Sequence, residues 1–308
     1  MMNSGLILFD KPPGITSFDA LRDIKRALGT GKVGHTGTLD KFASGLLIVL
    51  VGKALRLSQW FTHCDKKYIG KILFGEETDT LDPEGKIIAQ AVLPLREDVE
   101  SVLPQFTGAI MQAPPAFSAI HINGKRASDL CRGGKEVEMK KREVTIYKLE
   151  LLSWEPPFAE IFVHCSSGTY IRSLARDIAL AAGSRAHLVE LKRTHVGGFE
   201  LEIRNKELEI KPINKGVIHK LGLSYLEVNK EEKERILHGK PLDEILNKIN
   251  MLYLDPPCPR VNSSLNQSPS LRVDSSPNKS LALFSDEKLI AVVEKCKKTW
   301  KYACVLAE

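Results

Sequence analysis

Gly34-His35-Thr36-Gly37-Thr38-Leu39-Asp40 is the stretch on which this chain turns: two glycines inside a short polar run that ends in a single acid. An apolar run follows, Gly45-Leu46-Leu47-Ile48-Val49-Leu50-Val51, which reads as a buried strand. A carboxylate at the end of a loop, anchored by a core strand, stands where a rigid scaffold holds a reactive group. Gly34 and Gly37 permit a tight turn or the close approach of a ligand. Taken alone, the same residues also suit an Asp40 that caps a turn and a His35 that makes a local hydrogen bond.

Working outward, Leu6 to Phe9 reads as a strand closed by Lys11-Pro12-Pro13-Gly14. Thr16 or Ser17 then caps a helix with Phe18, Leu21, Ile24 and Leu28 on one face and Gly29 past its end. Ala54 to Phe61 suits a short helix and Tyr68 to Phe74 a strand. Val99, Val102, Leu103 and Phe106 recur at helical spacing within Glu97 to Phe106, with Pro104 near the end. Val144 to Leu152 and Ala159 to Cys165 read as strands. Thr169 is placed to cap a helix running to Ala182, with Ile171, Leu174, Ala175 and Ile178 inward. Strands and helices mix without regular alternation, which predicts an α+β fold around a largely antiparallel sheet.

The 308 residues suffice for one large domain plus a small one, and 43% hydrophobic and 27% charged residues are ordinary globular values. The net charge of +6 is compatible with a polyanionic partner without requiring one. Cys64, Cys131, Cys165, Cys258, Cys296 and Cys304 form no Cys-x-x-Cys pair and no cluster with zinc-ligand spacing, so free thiols in a reducing cytoplasm are expected. No apolar run approaches the roughly 18 residues of a membrane span, and no secretory signal is visible. A soluble cytoplasmic protein without a membrane association is the expectation.

Four stretches together resemble the TruB family of tRNA pseudouridine synthases. They are Leu8-Phe9-Asp10-Lys11-Pro12-Pro13-Gly14-Ile15-Thr16-Ser17; the Gly34–Asp40 loop; Lys66-Lys67-Tyr68 with Thr78-Asp79-Thr80-Leu81-Asp82-Pro83-Glu84-Gly85; and Ser166-Ser167-Gly168-Thr169-Tyr170-Ile171-Arg172-Ser173. The resemblance runs from about residue 5 to about residue 200. It departs after the acid, where Lys41-Phe42-Ala43-Ser44-Gly45 replaces the usual Pro-Leu-Ala-Thr-Gly.

The resemblance implies a pseudouridine-synthase catalytic domain at 1–222 and a small C-terminal PUA-like β domain at 223–308. The latter reads as reduced, interrupted by the Ser/Pro-rich stretch 255–280. It implies isomerisation of uridine 55 in the T-loop of tRNA, with base flipping and Asp40 as nucleophile. Arg172 would hold the Asp40 carboxylate ionised, and Tyr68 would stack on the base and serve proton transfer. Tyr170 and Leu191 would complete the pocket, His35 would fill the space the base vacates, and Lys11 would contact phosphate or support the loop. The reaction needs neither cofactor nor metal. The partner would be the T-arm of tRNA, and the enzyme a monomer.

Residues 121–142 are rich in basic groups and poor in large apolar ones, which predicts a loop mobile when free. By resemblance it is the flap that clasps the T-stem, with Lys125, Arg126, Arg132, Lys140, Lys141 and Arg142 as its RNA contacts. Two other readings stay open. Asp40, Asp79 and Asp82 could gather around Mg²⁺ for phosphoryl chemistry, or the chain could be a non-catalytic RNA-binding or tRNA-folding protein.

Overall fold

Continuous burial puts the strand after the Gly34–Asp40 loop at the centre of the fold. In the computed structural model, which describes residues 4–122, 124–135, 137–201, 208–242, 245, 248, 280–296 and 299–306, Leu46 through Val51 are each at most 1% exposed. A strand covered on both faces reads as an uninterrupted apolar run, as this one does.

Along the chain come β1 (Gly5–Lys11), α1 (Ser17–Leu28), β2 (Val33–His35), β3 (Ser44–Val51), α2 (Ser58–His63), β4 (Lys66–Phe74), β5 (Glu76–Thr78) and β6 (Ile87–Gln90). Next are α3 (Arg96–Val102), β7 (Gly108–Gln112), β8 (His121–Ile122), β9 (Lys125–Arg126), α4 (Ala127–Arg132) and β10 (Arg142–Glu155). Then follow β11 (Phe158–Cys165), α5 (Ile171–Ala181), β12 (Ala186–Val196) and β13 (Phe199–Glu200). The main sheet has the order β1-β3-β12-β4-β11-β10-β7, with β2 on β3 and β13 on β12. From β12 to β7 every pairing is antiparallel, whereas β3 and β12 run parallel. The architecture is α+β with a largely antiparallel sheet, as the unalternating pattern predicts.

Side-chain alternation positions the site. Along β4, Tyr68, Gly70, Ile72 and Phe74 are buried and the residues between them half-buried, so Tyr68 shares a face with the apolar core. Helix α5 turns Ile171, Leu174, Ala175 and Ile178 inward and packs on β12 and β4. Two local expectations change. Phe18 is 69% exposed because its neighbour Ser17 takes the inward position, where its hydroxyl accepts from Leu39 N at 2.9 Å and donates to Leu39 O at 3.0 Å. The residue at the N-cap of α5 is Tyr170, not Thr169, whose hydroxyl instead donates to Ser166 O.

The chain divides into two compact units, one of residues 7–50 and 58–209, the other of residues 1–6, 51–57 and 210–308. The second contains α6 (Lys215–Lys220), β14 (Ser224–Glu227), α7 (Lys230–Leu237), β15 (Ser280–Ser285), β16 (Lys288–Cys296) and β17 (Thr299–Val305). Its sheet runs β14-β15-β16-β17 and encloses Val228, Ile236, Leu242, Leu281, Leu283, Val293 and Trp300. Residues 255–279 of the Ser/Pro-rich stretch lie outside the described residues. No helix among the described residues is long and apolar enough to cross a membrane.

Candidate active site

A cleft of about 1100 Å³ opens over the loop that ends at Asp40. Its lining brings together His35, Asp40, Tyr68, Tyr170, Arg172 and Leu191 from four separate parts of the chain. On its floor, Arg172 places Nε 2.9 Å from Asp40 Oδ2 and donates from Nη2 to Asp40 Oδ1 at 3.3 Å. The Nε–H is not directed at its oxygen, so Coulomb attraction and the Nη2 bond hold the pair. Arg172 is itself fixed: Nη1 donates to Asp82 Oδ2 at 3.1 Å and Thr80 O at 2.7 Å, and Nη2 to Phe117 O at 3.1 Å. The Arg172 side chain is 5% exposed, whereas that of Asp40 keeps 37% exposure toward the cleft.

Burial pushes the Asp40 carboxyl above the ordinary range; Arg172 opposes this, and Asp82 adds to it. The sequence alone leads one to expect that Arg172 holds Asp40 low. Desolvation outweighs the guanidinium, and the neighbouring acids Asp82 and Glu84 add to it. Asp40 is thus the more exposed acid of a pair whose other member, Asp82, anchors the arginine.

The loop beneath Asp40 is held from behind. Lys11 is fully buried, and its ammonium donates to Pro12 O at 2.9 Å, Ile15 O at 2.8 Å and, more loosely, Lys41 O at 3.5 Å. It supports the loop and does not line the cleft. Gly14 N also donates to Lys41 O at 2.8 Å, and Thr62 Oγ1 donates to Thr36 O at 3.0 Å. The departure at Lys41 adds a tie: its ammonium pairs with Glu84 at 2.9 Å, joining the Asp40 loop to the Thr78–Gly85 loop.

Tyr68 is 8% exposed, and burial pushes its phenol up to about 12 despite the nearby Arg193. The phenol is neutral at pH 7. Leu191 is 8% exposed on the neighbouring β12 and lines the same wall. Tyr170 is set by Gln112, whose Oε1 accepts from Tyr170 N at 2.8 Å while its Nε2 donates to Tyr170 O at 3.1 Å. His35 is half-buried; burial, then Arg193, push it below the ordinary imidazole value, so it is neutral at pH 7.

The basic segment carries short elements of secondary structure. β8 and β9 form a small hairpin that leads into α4, and Ala127 is fully buried with its N–H on Ile120 O at 2.7 Å. Arg126 and Arg132 face the cleft from this segment, and Lys125 lines a smaller hollow of about 480 Å³ beside it. Lys140 and Lys141 are exposed and line neither. Arg142 starts β10, with its guanidinium donating to Gly168 O and lying 5.0 Å over the Tyr170 ring. It belongs to the wall of the cleft.

The arrangement does not suit the Mg²⁺ reading. The Arg172 guanidinium bridges Asp40 and Asp82, and Asp79 Oδ1 accepts from Lys86 N at 2.9 Å within its own turn. Among the described residues no three His, Cys, Asp or Glu side chains gather as metal ligands. Sequence reasoning missed the roles of Asp82, Gln112 and Arg193. Asp82 lay inside a matched motif and Arg193 two residues beyond Leu191 on the same strand face, so both carried a signal. Gln112 carried none.

The sequence profile of the TruB family pseudouridylate synthase N-terminal domain matches residues 25–171. A tRNA pseudouridine synthase B of Borreliella burgdorferi is 48% identical over 204 residues, covering 65% of this chain and 72% of the relative. The enzyme of the same name from Bordetella avium is 47% identical over 202 residues, covering 64% and 83%. A solved Cbf5-Nop10-Gar1 complex contains a chain of the same fold, with a TM-score of 0.64 at 22% identity over 98% of this chain and 85% of that one. With nearly half of the aligned residues identical over about two thirds or more of these relatives, the chain belongs to the TruB family of pseudouridylate synthases.

Proposed function

We propose that this pseudouridylate synthase acts on tRNA and isomerises uridine 55 in the T-loop, with Asp40 as nucleophile and the base flipped into the cleft. The observation that carries the reading is the Asp40 carboxylate, held by Arg172 on the floor of an open cleft whose walls hold Tyr68, Leu191 and arginines. The relatives named tRNA pseudouridine synthase B support the substrate class.

The bond between N1 and C1′ breaks with its electron pair left on the base, while Asp40 attacks or stabilises the electron-poor C1′. The freed base turns and C5 bonds to C1′, which returns to Asp40 the electron pair of any bond it had formed there; C5 then loses its proton and N1 gains one. Atoms balance without a redox partner or group donor, so no cofactor is needed. Tyr68 stacks on the base, and its neutral phenol takes the C5 proton only as it hands its own hydroxyl proton on. Extruding the base costs a few kcal/mol, offset by stacking and hydrogen bonds in the cleft. Neutral His35 fills the vacated space, and Tyr170 and Leu191 enclose the base.

The flap at 121–142 grips the T-arm through Arg126 and Arg132, with Lys125, Lys140 and Lys141 adding long-range attraction. The domain at 223–308 contacts RNA away from the target base, and the enzyme works as a monomer in the cytoplasm. Mapping pseudouridine in a defined tRNA transcript treated with the pure protein tests the reading. Modification confined to uridine 55 supports it; an unmodified transcript, or modification elsewhere, overturns it.

A further inference from the structure

Asp40 ends a loop and Tyr68 stands on β4, and Arg193 touches the backbone of that loop from the strand paired with β4. Arg193 of β12 pairs in register with Gly45 of β3 on one side and with Tyr68 of β4 on the other. The β3 side is closed at backbone contact: a Cβ on Gly45, whose φ is +101°, would stand 2.3 Å from Arg193 O. From this central position the Arg193 side chain returns toward the catalytic loop. Its Nε donates to Leu46 O at 2.8 Å, Nη2 to Gly37 O at 3.1 Å and Nη1 to Thr38 O at 3.5 Å. The guanidinium's charge also acts on the Tyr68 phenol, lowering its proton affinity against the larger effect of burial.

Arg193 is 3% exposed, and its hydrogen-bond partners among the described residues are neutral: three carbonyls. A buried cation without an acid partner is expensive in a protein interior. Its charge is felt around the cleft floor. It lowers the proton affinity of Lys11, His35 and Lys66, burial being the larger cause in each. A device that only braced the loop could use a neutral donor such as glutamine or asparagine.

We propose that Arg193 is a positioning residue for the isomerisation: it clamps the Gly37–Thr38 backbone, and through it Asp40, to the strand bearing Tyr68, and it keeps one unneutralised positive charge beneath the departing base. The proposal rests on the function given above. When N1 leaves with the electron pair the base is an anion, and a fixed cation in a site of low dielectric favours that state over neutral uridine. The guanidinium acts through the phenol and the loop.

The test uses the full chain with tRNA transcript. Wild-type turnover is measured first, and its absence would sink the functional reading alone. Arg193→Lys keeps the charge and loses the fork; Arg193→Met loses both. Rates are taken in single turnover per enzyme-bound tRNA, so that misfolded protein does not count. The expected result is a fall of about tenfold for Arg193→Lys and about a thousandfold for Arg193→Met, with KM for tRNA little changed in both. Equal losses in the two variants remove the charge from the proposal. A lower melting temperature with the wild-type rate per bound tRNA, or a loss confined to KM, overturns it. If Arg193→Met does not fold, the split between kcat and KM in Arg193→Lys decides.

Discussion

Arg172 meets both oxygens of Asp40, Nε at 2.9 Å from Oδ2 and Nη2 at 3.3 Å from Oδ1, from a position buried behind the cleft floor. The carboxylate is thereby aimed outward while its counter-charge stays out of reach of solvent. Positional control and electrostatic control come from the same side chain, and each can be perturbed separately.

Removing the carboxylate tests its chemistry and its cost. Asp40→Asn keeps the shape and loses the charge, so turnover should fall by about a thousandfold or more while tRNA binding stays near wild type. Because burial raises the folded-state proton affinity of Asp40 above the ordinary 3.8, this group favours the fold below that pH and loses its contribution as pH rises through the raised value. Relative to wild type, Asp40→Asn should be no less stable at neutral pH, and any advantage should shrink in acid. Thermal melts across pH check this; an advantage that grows in acid would contradict it.

The second acid should act on the pH profile. Asp82 raises the proton affinity of Asp40 and anchors Arg172 Nη1 at 3.1 Å. Asp82→Asn should shift the acid limb of kcat/KM toward lower pH, since Arg172 then serves one carboxylate. Its maximum should also fall by about 10–100-fold as the arginine loses its anchor. An acid limb that stays where it is would show that Asp82 does not couple to Asp40.

Charge reversal separates the flap from its surroundings. Arg126→Glu and Arg132→Glu should each flatten the plot of log K against log salt by about 0.7–0.9 for every phosphate left unneutralised. Arg142→Glu should act differently, lowering kcat through Tyr170 and Gly168, because that side chain is committed to the cleft wall. Unaltered salt slopes for the first two variants would make the segment a solvated surface.

Gly45→Ala should destabilise the protein by at least about 3 kcal/mol, for it combines a φ of +101° with a Cβ only 2.3 Å from Arg193 O. Chemical denaturation reads the loss directly. A stability within about 1 kcal/mol of wild type would mean that β3 and β12 part easily, which would also weaken the role given to Arg193.

The C-terminal strands should not be removable by themselves. β15 pairs with β14 from Ser224↔Leu281 to Glu227↔Phe284, and Leu281 and Leu283 pack with Val228 and Ile236. A chain ending before β15 should expose that apolar cluster, binding a hydrophobic dye and losing a folding transition. No dye binding and an unchanged folding transition would return the tail to the status of an appendage, as its broken composition suggests.

Much of this fold is legible in the sequence wherever the information is local. Alternation along Lys66–Phe74 places Tyr68 inward, the uninterrupted run after Gly45 marks a core strand, and Thr16 with Asp19 caps α1 as a short motif. Each depends on residues within a few positions of one another, so backbone geometry and solvent suffice to decide it. Phe18 escaped because helical spacing gives a face but not which edge of it turns inward; the bond from Ser17 to Leu39 made that choice.

By itself, then, the sequence determined the α+β class, the family and the identity of Asp40, Tyr68 and Arg172 as the candidate reactive set, since motifs and periodicity are properties of short segments. Only the tertiary structure decided how those groups are held. Gln112 reaches Tyr170 across 58 residues, Asp82 reaches Arg172 across 90, and Arg193 reaches Gly37 across 156. It also decided the proton affinity of Asp40, where burial overrode the arginine beside it. Strand order and desolvation are collective outcomes of the packed sheet, and no single stretch of the chain encodes them.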